Sequence, residues 1–134
     1  MKPPSFLVVV VLSLAPCPAI AERDLVPLMD GITNICPDRP REPQWMQEIA
    51  LRDAYQRVLV QDIYKAQSLA QVVETGDCAC ETRFPPWDAA VAEFNEQFAT
   101  SDRWEMLDAS SVYGREANAL RPEAMAICEA VGNW

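Results

Sequence analysis

Four cysteines placed behind an apolar leader constrain this chain more than any other feature. Cys36, Cys78, Cys80 and Cys128 follow the leader, which holds a fifth, Cys17. An even number of cysteines in an oxidising compartment forms disulfides, so any fold must bring these four together in pairs. Three pairings exist. One joins Cys78 to Cys80 across Ala79, closing a small strained ring with redox character. In the other two, Cys36 and Cys128 each take one member of the Cys78-Ala79-Cys80 motif, and which takes which is open. These two are the structural reading and the one expected here. Either gathers the N-terminal lead-in, the central loop and the last helix at one end of the molecule.

The leader supports that compartment. Lys2 precedes an apolar run from Phe6 to Ala15, too short for the roughly 20 helical residues that span a bilayer. Pro16 and Pro18 break it, and Ala19-Ile20-Ala21 offers small residues for cleavage. Residues 1–21 therefore read as a signal peptide, and the mature chain is expected outside the cytoplasm. A rival reading takes Leu14-Ala15-Pro16-Cys17 as a lipoprotein box with Cys17 acylated, although Pro16 stands where Gly or Ala is usual.

Residues 22–43 form an irregular lead-in, because Pro27, Pro37, Pro40 and Pro43 hold the backbone away from helix. The region 44–134 is expected to be a helical domain. Pro43 suits a first helical turn, no Pro or Gly interrupts Gln44 to Glu74, and Gly76 follows as a C-cap. Leu51, Ala54, Tyr55, Val58, Leu59, Ile63, Ala66, Ala70 and Val73 make one stripe at steps of three and four. Such a helix would be roughly 45 Å long, so a bend or break is allowed for. Residues 75–86 read as a loop. A second helix opens at Pro86 and carries Trp87, Val91, Phe94 and Phe98 on one face. Ser101 and Asp102 cap a third with Met106, Ala109, Tyr113, Ala117 and Leu120, weakened by Gly114. Pro122 starts a fourth, in which Ala124, Ile127, Cys128 and Val131 share a face. The fold class is all-α: a small bundle with one long helix and two or three shorter ones, stapled by two disulfides.

Charge and composition exclude several functions. The chain has 11 basic and 20 acidic residues, for a net charge of −9. Loss of Lys2 with the leader takes this to −10. That balance opposes nucleic-acid backbones and anionic lipid, so neither nucleic acid nor membrane insertion is expected of the mature domain. No histidine occurs anywhere, which removes His-dependent nucleophiles, proton shuttles and metal ligands. No carboxylate pair stands out by context, so no catalytic residue is assigned. A four-cysteine zinc site matches poorly, since such sites use C-x₂₋₄-C pairs; no metal and no cofactor are expected.

The redox reading of Cys78 and Cys80 is the alternative function. Reactive thiols sit at helix N-termini, whereas this pair follows a helix C-terminus between Asp77 and Glu81, which raises a thiol pKa. Trp45, Trp87 and Trp104 lie near helix starts and read as core or lid. Val60 and Tyr64 sit one turn apart on the polar side of the first helix. Either another helix covers them or they form a patch for a partner. Trp134 either folds back on the bundle or docks elsewhere.

The stretch Met46-Gln47-Glu48-Ile49-Ala50-Leu51-Arg52-Asp53-Ala54-Tyr55-Gln56-Arg57-Val58-Leu59, with Val72-Val73-Glu74-Thr75-Gly76-Asp77-Cys78-Ala79-Cys80 and Arg83-Phe84-Pro85-Pro86-Trp87-Asp88, resembles a group of small exported proteins of alphaproteobacterial type IV secretion and conjugation gene clusters. The ending Ala126-Ile127-Cys128-Glu129-Ala130-Val131-Gly132-Asn133-Trp134 is similar too. The resemblance implies a Gram-negative periplasm and an accessory role beside an envelope-spanning apparatus. The expectation is a non-enzymatic protein that binds another envelope protein.

Overall fold

The computed structural model describes Cys36 and residues 39–134. The leader at 1–21, with Cys17, and most of the lead-in at 22–43 lie outside the described residues. Among the described residues the fold is all-α, with no strand. Its elements are α1 (Gln44–Gln47), a single 3₁₀ turn (Leu51–Asp53), α2 (Ala54–Thr75), α3 (Cys80–Arg83), α4 (Asp88–Gln97) and α5 (Arg103–Ala130).

The long helix expected over 44–74 is broken. Glu48 leaves α1 with ψ at 0°, and Ala50 is extended at φ −62°, ψ 145°. Packing explains the break. Met46 is fully buried in the same cluster as Leu59, Val60 and Ile63. Thirteen residues of straight helix would hold Met46 about 20 Å from Leu59. Folding α1 back puts Met46 into the core and sets Trp45 on Phe94, with ring centroids 6.0 Å apart. Burial of a Met side chain is worth about 1.5–3 kcal/mol, comparable to the few helical hydrogen bonds given up to water at the break.

α2 is the central element. It buries Leu59, Val60, Ile63, Tyr64, Ala66, Ser68, Leu69 and Val72, a wider arc than a single stripe. Leu51 and Val58 of the expected stripe are exposed instead. Gly76 ends α2 in the left-handed conformation at φ 65°, with its N–H on the Val72 carbonyl at 2.9 Å. Only a residue without Cβ takes that conformation at no cost.

α5 packs along α2 in a parallel sense. The Arg103 guanidinium lies 5.6 Å from the Tyr55 ring, Ser110 donates to Asp62, and Cys128 bonds to Cys78 just beyond the end of α2. Parallel neighbours need a return connection, and α4 with its flanking turns supplies it. Glu93 on α4 ties the three helices together, accepting from Gln67 of α2 at 2.5 Å and from Tyr113 of α5. Burial together with this bond and the Glu93 charge pushes the Tyr113 phenol well above its ordinary pKa.

Two helices expected around Pro122 are one. α5 runs 28 residues through Gly114 and Pro122, although an interior proline costs about 3 kcal/mol. Pro122 and Asn118, whose carbonyl loses its donor, are both exposed, so water satisfies the freed group. Ala117 and Ala124 are fully buried on either side, and their small side chains let α5 lie close to α2. The capping box at the other end is complete: Asp102 accepts from the Trp104 and Glu105 N–H groups at 2.7 and 3.0 Å, and Glu105 accepts from the Asp102 N–H at 3.0 Å.

Candidate functional site

The C-x-C turn organises one end of the bundle. Cys36 bonds to Cys80 and Cys78 to Cys128, with Cα–Cα distances of 5.3 and 5.2 Å. Each cysteine of the motif thus takes a distant partner, as the structural reading expects. The part read as plain loop contains α3. Asp77 builds the turn into it, accepting from the Ala79 N–H at 3.1 Å and the Thr82 hydroxyl at 2.6 Å. These bonds hold the exposed Asp77 carboxyl below the ordinary carboxylate range. With Ala79 extended before α3, Cys78 turns inward and is buried, while Cys80 is half-buried.

A residue the sequence reading passed over closes this knot. Asn133 is buried, and its side chain accepts from the Cys36 N–H at 3.2 Å and donates to the Cys78 carbonyl. Its own N–H reaches the Cys128 carbonyl at 2.8 Å. One amide therefore links the lead-in, the central turn and the end of α5. A buried amide matched on both sides costs little, whereas its partners left alone would each cost about 1–3 kcal/mol. Gly132, at φ 72°, sets the turn that aims Asn133 inward; Gly132-Asn133 was the available signal.

Trp134 folds back, covering Arg83, whose guanidinium lies 4.7 Å from the Trp134 ring and 5.0 Å from Phe84. Trp134 keeps 42% exposure. Burial lowers the Arg83 pKa. Beside it opens a cavity of about 130 Å³ lined by Arg39, Lys65, Arg83 and Arg121 together with Tyr64 and Trp134, among others, and by no Asp or Glu.

Val60 and Tyr64 do not form a patch, because both are buried in the core. Tyr64 stacks on Trp87 at 4.0 Å and donates to the Pro85 carbonyl at 2.8 Å, and burial raises its pKa against the opposing charge of Arg39. Trp87 is core and donates to the Pro40 carbonyl at 2.8 Å, pinning the lead-in. Trp104, read as core or lid, is 75% exposed instead. Leu51 is 92% exposed. Both lie at the end of the bundle away from the disulfides, since Arg103 meets Tyr55 there.

Among the described residues no group of acidic or cysteine side chains has the arrangement of a metal site, and no helix is long and apolar enough to cross a membrane. The chain matches no protein-family model, no curated protein and no solved structure.

Proposed function

We propose that this protein is a non-enzymatic periplasmic accessory protein that binds another envelope protein within a type IV secretion or conjugation system. The observation that carries the binding part is the exposure of Trp104 at 75% and Leu51 at 92% at one end of the bundle. A single exposed leucine means little, but tryptophan is the residue most enriched where partners anchor. Two disulfides support an oxidising compartment and hence the export of residues 1–21. The resemblance in the stretches around Met46, Cys78 and Cys128 supports the secretion setting.

The redox alternative loses support from the pairing. A Cys78–Cys80 ring would store strain between neighbours, but both cysteines are committed outward, and the Cys78–Cys128 bond is buried away from any thiolate.

The test is site-specific photo-crosslinking in envelopes of the native host, with the reactive group at position 104 and, as control, at exposed Glu116. One adduct at 104 that contains a secretion-apparatus subunit, together with reduced DNA transfer in a deletion strain, is the expected result. Unchanged transfer and equal labelling at both positions would overturn the proposal.

A further inference from the structure

The strongest unexplained feature is the cavity beside the disulfide knot. Four of the chain's 11 basic residues line it, and no Asp or Glu does, although the chain holds 20 acidic residues and a net charge of −9. Among the described residues the ion pairs are Arg52 with Asp53 and Arg57 with Glu42, so none of the four cavity cations is neutralised by a described carboxylate. Like charges gathered around one hollow repel, and the field they focus favours an anion within it.

The apolar half of the wall narrows the class. The Arg83 guanidinium lies against two rings, Phe84 at 5.0 Å and Trp134 at 4.7 Å. The rings leave N–H groups at the guanidinium edge for acceptors, and that planar fork matches a carboxylate. No hydrogen bond from that edge is present among the described residues. Tyr64, Leu69 and Trp134 supply apolar surface beside it. The volume of about 130 Å³ is close to the roughly 150 Å³ hollow that accepts one benzene molecule. It is below the 300 Å³ or more of a site for larger ligands.

We propose that this cavity binds a carboxylate carried on an apolar body of about one ring, either a free aryl or branched acid or the C-terminal residue of a peptide. Arg83 and Arg121 hold the carboxylate, Lys65 and Arg39 add field, and Tyr64, Leu69 and Trp134 bury the apolar part. The site lies at the end opposite Trp104, so it stands independently of the partner surface proposed there.

The test is NMR titration of the exported, oxidised protein, following the Trp134 indole N–H and the Arg83 Nε–H. Three probes are added separately: 4-methylbenzoate, its methyl ester, and an acetylated tripeptide ending in phenylalanine, the last with a free or an amidated C-terminus. Saturable shifts with the acid or the free peptide, absent with the ester and the amide, are expected; which of the two binds more tightly identifies the source. Arg121→Gln, on the outer part of α5, should weaken binding about tenfold while leaving the melting temperature unchanged. Added salt should weaken it further. No saturable shift with any carboxylate, equal shifts with ester and acid, or unchanged affinity in both Arg121→Gln and Arg83→Gln proteins that remain folded would overturn it.

Discussion

Replacing Cys78 and Cys128 together with alanine tests how this domain is held together. The paired change leaves no free thiol, which a single Cys128→Ala would. The bond closes a loop of sequence separation 50, for which chain entropy gives about 4 kcal/mol. Cys36–Cys80 has separation 44 and a similar entropy of about 4 kcal/mol. The two loops share only residues 78–80, so the restrictions act almost independently on the unfolded chain. Their effects on the folded state differ. Cutting Cys78–Cys128 leaves α2 and α5 packed by Ala66, Val72, Ala117 and Ala124, so the folded state gains little freedom and nearly the full entropy is lost. Cutting Cys36–Cys80 frees only the lead-in, which then detaches at the cost of the Trp87–Pro40 hydrogen bond and the 2.8 Å Arg57–Glu42 pair. The first variant should therefore lose about 4 kcal/mol and the second about half that, against a total of about 5–15 kcal/mol. Urea unfolding followed by far-ultraviolet circular dichroism, without reductant, measures both. A loss under about 1 kcal/mol for the Cys78/Cys128 pair, or the reverse ranking, would refute the reasoning.

Asn133→Ala strands the Cys36 N–H and the Cys78 carbonyl, both buried, and should cost about 2–4 kcal/mol; the same urea experiment reads it, and a neutral result would mean that water replaces the amide. Pro122→Ala restores a donor for the Asn118 carbonyl inside α5 and should stabilise by about 1–2 kcal/mol, the helical gain of about 3 less the unfolded-chain freedom that proline removes; a lower melting temperature would contradict this. The Asp77 carboxyl is held below its ordinary pKa by Thr82 and the Ala79 N–H, so its contribution is present above about pH 4 and is lost as pH falls through the folded value. Wild type should melt above Asp77→Asn at pH 7 and converge with it near pH 2; a constant difference would break the link.

Much of the architecture is legible in the residues because local rules and tertiary packing agree there. Asp102 reads as a helix cap and is one, and Gly76 reads as a C-cap and adopts the required φ of 65°. The outward pairing of the C-x-C cysteines follows from their place after a helix C-terminus between Asp77 and Glu81, which disfavours a reactive dithiol. The failures share a cause. Periodicity reports what one helix would do alone, so it carried a helix through Glu48–Ala50, where the gain from burying Met46 lies in distant residues. Proline rules ended a helix at Pro122, where contacts made by Ala117 and Ala124 on α2 outweigh the local cost. Val60 and Tyr64 looked stranded on a polar face because the helix has two buried sides, and Tyr64 faces Trp87. The cationic cavity draws Arg39, Lys65, Arg83 and Arg121 from four separate segments, so no spacing signals it. Asn133 carries its role through a chain reversal at the last residues, visible in sequence only as the Gly132-Asn133 pair.

The two ends of the bundle differ in how they meet the entropy of binding. A mobile apolar tail loses about 0.5–1.5 kcal/mol for each side chain that a partner immobilises, and more when its backbone orders too. Trp104 escapes most of that cost. It occupies the first turn of α5, where the Asp102 side chain takes its N–H at 2.7 Å and Glu105 returns the bond to Asp102. Its backbone is therefore fixed before any contact, and Arg103 beside it is held over Tyr55. Asp102→Ala should consequently weaken crosslinking at position 104 although the reactive residue there is the same in both proteins, because the anchor would fray with the first turn. Equal crosslinking in Asp102→Ala and wild type, with both folded, would mean that a rigid Trp104 is not what the partner recognises. The acidic net charge of −9 favours approach by a face carrying Lys or Arg around an apolar centre, since long-range repulsion slows encounter with an acidic one.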